Sequence, residues 1–229
     1  MLTVVDTVLS AALRATAAAD ARTWLDHAQA LPVDGSRGPL LDAYARAAIH
    51  VGRGALTLSE TALRDLRAAA PGVGFEHWTL DDAARALILI GRHRHGRPGR
   101  PFVDDAVACF EEGDAREQQS WLRALLLWPE AEFFLPYAID ACRSNVVPLF
   151  EALACENAYP ARHFPDRNFN QMVLKALFNS IDLSRVVGLR SRLNAELSRM
   201  AGDYAAERVA AGRKVPSDVA LAIGEAAKE

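Results

Sequence analysis

Apolar residues recur three and four positions apart along nearly the whole chain, while the two-residue alternation of a half-buried strand is scarce. That spacing puts side chains on one face of a helix, so the pattern predicts an all-α protein. Val4, Val5, Val8, Leu9, Ala12 and Leu13 form the first stripe. Thr23–Ala30 reads as a second, short helix closed by Leu31-Pro32 and Asp34-Gly35. Leu40, Leu41, Tyr44, Ala45 and Ala48 form a third, stopped near Gly52 and Gly54. Thr57-Leu-Ser-Glu60 and Thr79-Leu-Asp-Asp82 have the form of capping boxes. The first opens a helix to about Ala70, and the second a helix carrying Ala83, Leu87, Ile90 and Arg94. The run Gly91–Pro101, basic and rich in Gly and Pro, is the clearest punctuation in the chain. It sets a soft boundary between an N-terminal half, 1–100, and a C-terminal half, 101–229, within one compact domain.

Shorter helices follow over Phe102–Glu112, Asp114–Trp128, Pro129–Cys142 and Val146–Glu156, then a turn over Pro160–Asp166 and a helix over Arg167–Phe178. A long helix from Ala195 to Ala211 carries Leu197, Met200, Ala201, Tyr204 and Ala205 on one face. Gly212 and Pro216 end it, and a short tail helix closes the chain. Antiparallel pairs joined by short loops point to an irregular, HEAT-like helical array, although no strict repeat period is visible.

Composition narrows the function classes. The chain has 229 residues, 51% hydrophobic and 24% charged, with a formal net charge of −3. That is enough to bury a full core, and it lacks the basic excess a dedicated nucleic-acid binder needs. Three cysteines, Cys109, Cys142 and Cys155, are too few for a disulfide framework and fit a reduced compartment. The opening Met1-Leu-Thr-Val-Val-Asp6 lacks a signal-peptide pattern, and no run reaches transmembrane length, so a soluble, cytoplasmic protein without direct membrane insertion is expected. Charge is uneven: residues 1–100 carry 12 Arg against 10 acidic residues, and the remainder 14 basic against 19 acidic. Only Lys175, Lys214 and Lys228 are lysines.

Candidate chemistry concentrates between residues 121 and 178, which hold 10 of the 17 aromatics. Gln171 and Lys175 are neighbours at i, i+4 on the flank of an apolar stripe made by Phe169, Met172, Val173, Ala176 and Leu177. Arg143, Glu151, Glu156, His163 and Lys175 can converge on an aromatic-walled pocket, with Asn145, Asn157, Asn170 and Gln171 as further ligand-binding groups. In such a pocket Lys175, His163 and Glu151 are the candidate catalytic groups: a desolvated amine, an imidazole near neutrality and a carboxylate. Each residue also has a structural reading. Asn145 and Asn157 suit helix ends, Arg143 can pair with Asp140, and Glu151 can bridge to Lys175. His163, between aromatic and proline neighbours, reads more readily as a packed turn residue. On the last long helix Arg199, Asp203 and Glu207 share a face, and the two carboxylates are a second ligand-binding candidate or an ordinary solvated face. No spacing supports a metal site, and no phosphate-binding glycine loop or nucleophile elbow is present, so no cofactor is expected.

Four segments together resemble the EboA family: Cys142-Arg-Ser-Asn145, Phe150-Glu-Ala-Leu-Ala-Cys-Glu-Asn-Ala-Tyr-Pro160, Asn170-Gln-Met-Val-Leu-Lys-Ala-Leu-Phe178 and Leu197-Ser-Arg-Met-Ala-Gly-Asp-Tyr-Ala-Ala-Glu-Arg208. The resemblance covers roughly residues 121–217 and departs from the family pattern at Ala158, Arg190 and Ala195. It implies a bacterial metabolite-traffic protein of a secondary-metabolite gene cluster. The implied partners are a small-molecule metabolite and other enzymes of that cluster, including a membrane prenyltransferase. Two functions are therefore expected as alternatives. One is a helical binder or carrier of a small metabolite or partner enzyme. The other is a diverged enzyme performing acid–base isomerisation, cyclisation or dehydration between the C-terminal helices.

Overall fold

The computed structural model describes residues 1–33, 36–96 and 100–224, with Arg100 described in its backbone only. The Asp34-Gly35 turn, the middle of the basic loop at residues 97–99, and Lys228 lie outside the described residues. The all-α class holds: the described residues form helices joined by short 3₁₀ segments, and their one β-bridge pairs Ala55 with Thr79. The chain divides into two compact units, Met1–Pro136 and Tyr137–Glu229. That division lies C-terminal to the change in charge near residue 100.

The first unit contains α1 (Leu2–Thr16), α2 (Ala19–Gln29), α3 (Gly38–Val51), α4 (Glu60–Ala69), α5 (Leu80–His95), α6 (Arg100–Glu111) and α7 (Ala115–Arg123). Most of these helices bury one stripe, such as Val5, Leu9 and Leu13 of α1. Helix α5 is different. It packs against α1, α2, α3 and α7, and every residue from Asp81 to Arg92 is buried. A stacked repeat array would bring each helix pair against its neighbours only. Here one central helix is wrapped by others.

The Gly- and Pro-rich punctuation read from Gly91 onward overlaps this helix, which carries Arg94 as expected and runs on to His95. A Cβ on Gly91 would lie 2.3 Å from the Gln29 carbonyl oxygen, so this glycine lets α5 approach the end of α2 closely rather than breaking the helix. Of the two expected capping boxes, one shifts and one holds. Ser59, not Thr57, caps α4 and accepts from the Ala62 N–H at 3.2 Å. Asp82 accepts from the Thr79 N–H at 2.9 Å, as the box motif requires. Asp114 caps α7 and accepts from Arg116 and Glu117 N–H groups, but that helix stops at Arg123 and Leu125–Leu127 tightens into a 3₁₀ turn.

The second unit contains most of α8 (Leu135–Arg143), then α9 (Val147–Ala154), α10 (Tyr159–His163), α11 (Asp166–Phe178), α12 (Ala195–Ala210) and α13 (Val219–Ile223). Proline sets the rhythm here. Pro148 and Pro160 sit in first turns, where the missing N–H costs nothing, and Pro165 separates α10 from α11. The segment after Pro129, expected to be helical throughout, is a 3₁₀ turn over Ala131–Phe134 before α8 begins. Glu130 precedes it in the left-handed region at φ 58°, which interrupts a continuous α-helix.

Candidate functional site

The site grows from the end of α8. A helix leaves its last carbonyls without intrahelical partners, and that end carries partial negative charge. Lys175, near the end of α11, supplies the missing donors: its Nζ donates to the Cys142 carbonyl at 2.8 Å and to the Ser144 carbonyl at 2.6 Å. The same ammonium lies 5.0 Å from the centre of the buried Phe150 ring, a cation–π position.

Between α8 and α11 lies a cavity of about 310 Å³. From α8 and its exit come Ile139, Cys142, Arg143 and Asn145. The turn before α11 gives Phe164, and α11 gives Asn168, Gln171 and Lys175. The helical repeat explains the selection, because 168, 171 and 175 are spaced by three and four and share a face, as do 139 and 143. Phe164 reaches the wall because its turn is clamped from afar. Arg192 donates to the carbonyls of Ala161 at 2.6 Å and Phe164 at 2.8 Å, pairs with Asp166 at 2.9 Å, and lies over Phe169. Gly188, at φ 78°, holds the adjoining strand of chain where a Cβ would meet Ala161 at 2.6 Å.

The lining holds two cations and three amides, and none of the lining side chains is a carboxylate or an imidazole. Among the described residues, the side chains of Asn145, Asn168 and Gln171 make no hydrogen bond within the chain. Arg143 uses one guanidinium N–H on Asp140 at 2.8 Å, and Lys175 uses two of its three protons, so donors remain on both. Burial pushes the Cys142 thiol up to about 11 despite the opposing pull of Lys175 and Arg143. It is therefore a neutral thiol at pH 7, not a nucleophile.

The structure thus brings Arg143, Asn145, Gln171 and Lys175 together and takes the other candidates elsewhere. Glu151 does not bridge to Lys175: it accepts from Arg185 at 3.0 Å. Glu156, at φ 50°, takes two bonds from the same guanidinium at 2.7 and 3.1 Å, and its N–H donates to the Arg185 carbonyl at 2.9 Å. Those bonds raise the Arg185 pKa. His163 ends α10 and lies against Tyr159, with ring centres 4.6 Å apart, and does not line the cavity. The buried Asn157 makes an Asx turn: it accepts from the Tyr159 N–H at 2.9 Å, and its amide donates to Ala152 at 3.3 Å. Asn170 and Asn194 are buried or part-buried and bond reciprocally at 3.1 and 3.0 Å, while Asn194 also caps α12. Asp203 accepts from Arg199 at 2.6 Å, Arg199 also forks onto Glu196, and Glu207 lies exposed on α12.

Phe164 and Asn168 lie in the aromatic- and amide-rich stretch but were not among the candidate ligand-binding groups, and the clamps Arg185 and Arg192 carried no local signal. The clamps' partners lie some 26 to 34 positions away in sequence. The unpaired acids at 151 and 156 flanking a helix end were the available hint that a distant cation was needed.

A second cavity of about 470 Å³ is lined by Leu177, Ser180–Asp182, Arg208, Lys214 and Pro216–Asp218. Its ionic groups balance and are largely committed to backbone: Asp182 to Ser184, Asp218 to Leu183, and Arg208 to the Lys214 carbonyl. Among the described residues no three His, Cys, Asp or Glu side chains gather as a metal-binding set. No described helix is long and apolar enough to cross a membrane.

Fold and geometry give an all-α protein with a small, cation-lined cavity in its C-terminal unit. The chain belongs to the EboA family: the family model, described as metabolite traffic protein EboA, matches residues 5–224. The match takes in the N-terminal half, where the sequence motifs had been only generic. No curated protein and no solved structure matches the chain. The family carries a general role in handling metabolites.

Proposed function

We propose that this chain binds a small metabolite in the α8–α11 cavity and hands it on unchanged. The observation that carries the reading is the lining itself: three amides without internal partners and two cations with donors left over surround a space at the small end of the range for ligand sites. Proton-transfer chemistry needs a base and an acid within reach of the same atom. The groups best suited to that work, Glu151 and His163, do not line this cavity, which favours binding over turnover. In this reading the metabolite comes from the secondary-metabolite pathway implied by the family resemblance, and enzymes of that pathway, a membrane prenyltransferase among them, deliver or receive it.

The test is retention. The purified chain is incubated with a metabolite extract of the producing cells, desalted, and its bound compounds are identified by mass spectrometry. Wild type should retain a compound and release it unchanged, and Ile139→Trp, which fills the cavity, should lose it. Equal retention by Ile139→Trp would move the site elsewhere. A product that accumulates with time would favour the enzyme alternative.

A further inference from the structure

The lining also identifies the kind of ligand, on the reading of the α8–α11 cavity as the binding site. We infer that its ligand is a small, free organic anion bearing hydroxyl groups, with its phosphate or carboxylate held between Arg143 and Lys175. Two positive side chains line the cavity and no negative one does. An anion seated there meets two cations and no carboxylate of the lining, and charge-assisted hydrogen bonds are the strong ones.

The two cations are prepared differently. Lys175 is fixed by two backbone carbonyls and an aromatic face, so its position needs no ligand. Arg143 is held by one bond to Asp140, and both side chains are well exposed, at 68% and 73%. An exposed pair of this kind contributes little, so Arg143 can turn its guanidinium to a bound acid at small cost. A guanidinium fork matches the two oxygens of a carboxylate or phosphate, and charged hydrogen bonds are the strong ones. The amides Asn145, Asn168 and Gln171 each offer a donor and an acceptor, which suits hydroxyl groups that do both. Phe164 and Ile139 give the carbon skeleton an apolar wall.

The second cavity of this unit lacks these features. Its two cations face two carboxylates, so it offers an anion no net attraction.

The experiment titrates the full chain with matched probes: glucose against glucose 6-phosphate, gluconate, and inorganic phosphate. Binding is followed by calorimetry and by the amide signals of Asn145, Asn168 and Gln171. The expected result is saturable binding of the anionic probes, with side-chain amide shifts at those three residues. Affinity should fall with added salt and drop roughly tenfold or more in Arg143→Gln. Arg143 is exposed, so this variant is expected to fold. Lys175→Gln should weaken binding as well, but it also uncaps α8, so Arg143→Gln carries the conclusion. Equal binding of glucose and glucose 6-phosphate, with the same amides shifting, would overturn the anion assignment and leave the cavity as the site. Anion binding that shifts other residues and is indifferent to both Arg143→Gln and Ile139→Trp would overturn the cavity reading itself. Flotation with phosphatidylglycerol vesicles, lost in Arg143→Gln while the soluble anions leave the amides unmoved, would overturn a free metabolite in favour of a lipid headgroup.

Discussion

The two units place charge in opposite ways. In the first, charge lies inside: Asp81, Asp82, Arg85, Arg92 and Asp105 are all buried. In the second, the buried polar residues are the amides Asn157 and Asn170, and the cations stand at helix ends and cavity edges. The difference separates scaffold from site. Buried ions are tolerable only when their hydrogen bonds are complete. Around α5 they are. Arg85 donates to Asp81 at 2.7 Å, to Ser120 at 3.0 Å and to the Tyr44 carbonyl at 3.1 Å. Arg116 forks onto Asp81, and Arg123 and Ser120 reach Asp82. Such a network fixes how α3 and α7 meet α5 and leaves little for a ligand. The α8–α11 cavity has donors and acceptors to spare, open to solvent and so available for recognition.

Arg85→Met gives the sharpest contrast between the two kinds of cation. It should destabilise the first unit by about 3 kcal/mol, because it removes three buried hydrogen bonds, to Asp81, Ser120 and the Tyr44 carbonyl, and leaves Asp81 with Arg116 as its one remaining arginine. Urea unfolding checks it, and a loss below about 1 kcal/mol would show that Arg116 suffices. Acid should distinguish the units next. Burial acts to raise the Asp81 pKa, but hydrogen bonds from Arg116, Thr79 and Arg85 outweigh it and hold the carboxyl at about 2. A lowered pKa stabilises the fold above the unfolded value of 3.8. That contribution, about 2 kcal/mol, is lost as pH falls from about 4 towards 2. Asp81→Asn should flatten this acid limb, as measured by unfolding at stepped pH. If the limb persisted in that variant, another carboxylate would be responsible.

In the second unit Asn170→Ala should cost about 1–2 kcal/mol, since Asn194 keeps its bonds to Leu197 and Arg192 when its partner is cut back. Thermal unfolding and exchange of the first-turn amides of α12 report it, and unchanged exchange there would argue against Asn170 supporting the Asn194 cap. The smallest effect on stability belongs to Arg143→Gln, expected within about 0.5 kcal/mol. If that variant instead destabilised the chain as much as is expected of Arg85→Met, the division between structural and ligand-facing cations would fail.

Much of the fold was legible in the sequence because helices are written locally. The Val5, Leu9 and Leu13 stripe, the Asp114 cap and the proline before α11 each act within a turn or two. Errors came where a local cue served a distant purpose. Gly91 has the look of loop punctuation and is a packing contact with Gln29. Half of the cavity lining was also legible, through Arg143, Asn145, Gln171 and Lys175. The expected partnership of Lys175 with Glu151 was not, because charge alone does not choose between candidate partners. Arg185, far along the chain, took both Glu151 and Glu156.

By itself, then, the sequence determined the helical class, most helix limits and the family motifs, since all of these rest on periodicity, capping and short-range spacing. Tertiary structure decided which helix is central, which cation meets which carboxylate and which polar groups are left over. Those outcomes depend on helices packed from distant parts of the chain. An arginine's role follows from what it faces: Arg85 is enclosed by its partners, whereas Arg143 stands at a cavity edge with hydrogen bonds still to make.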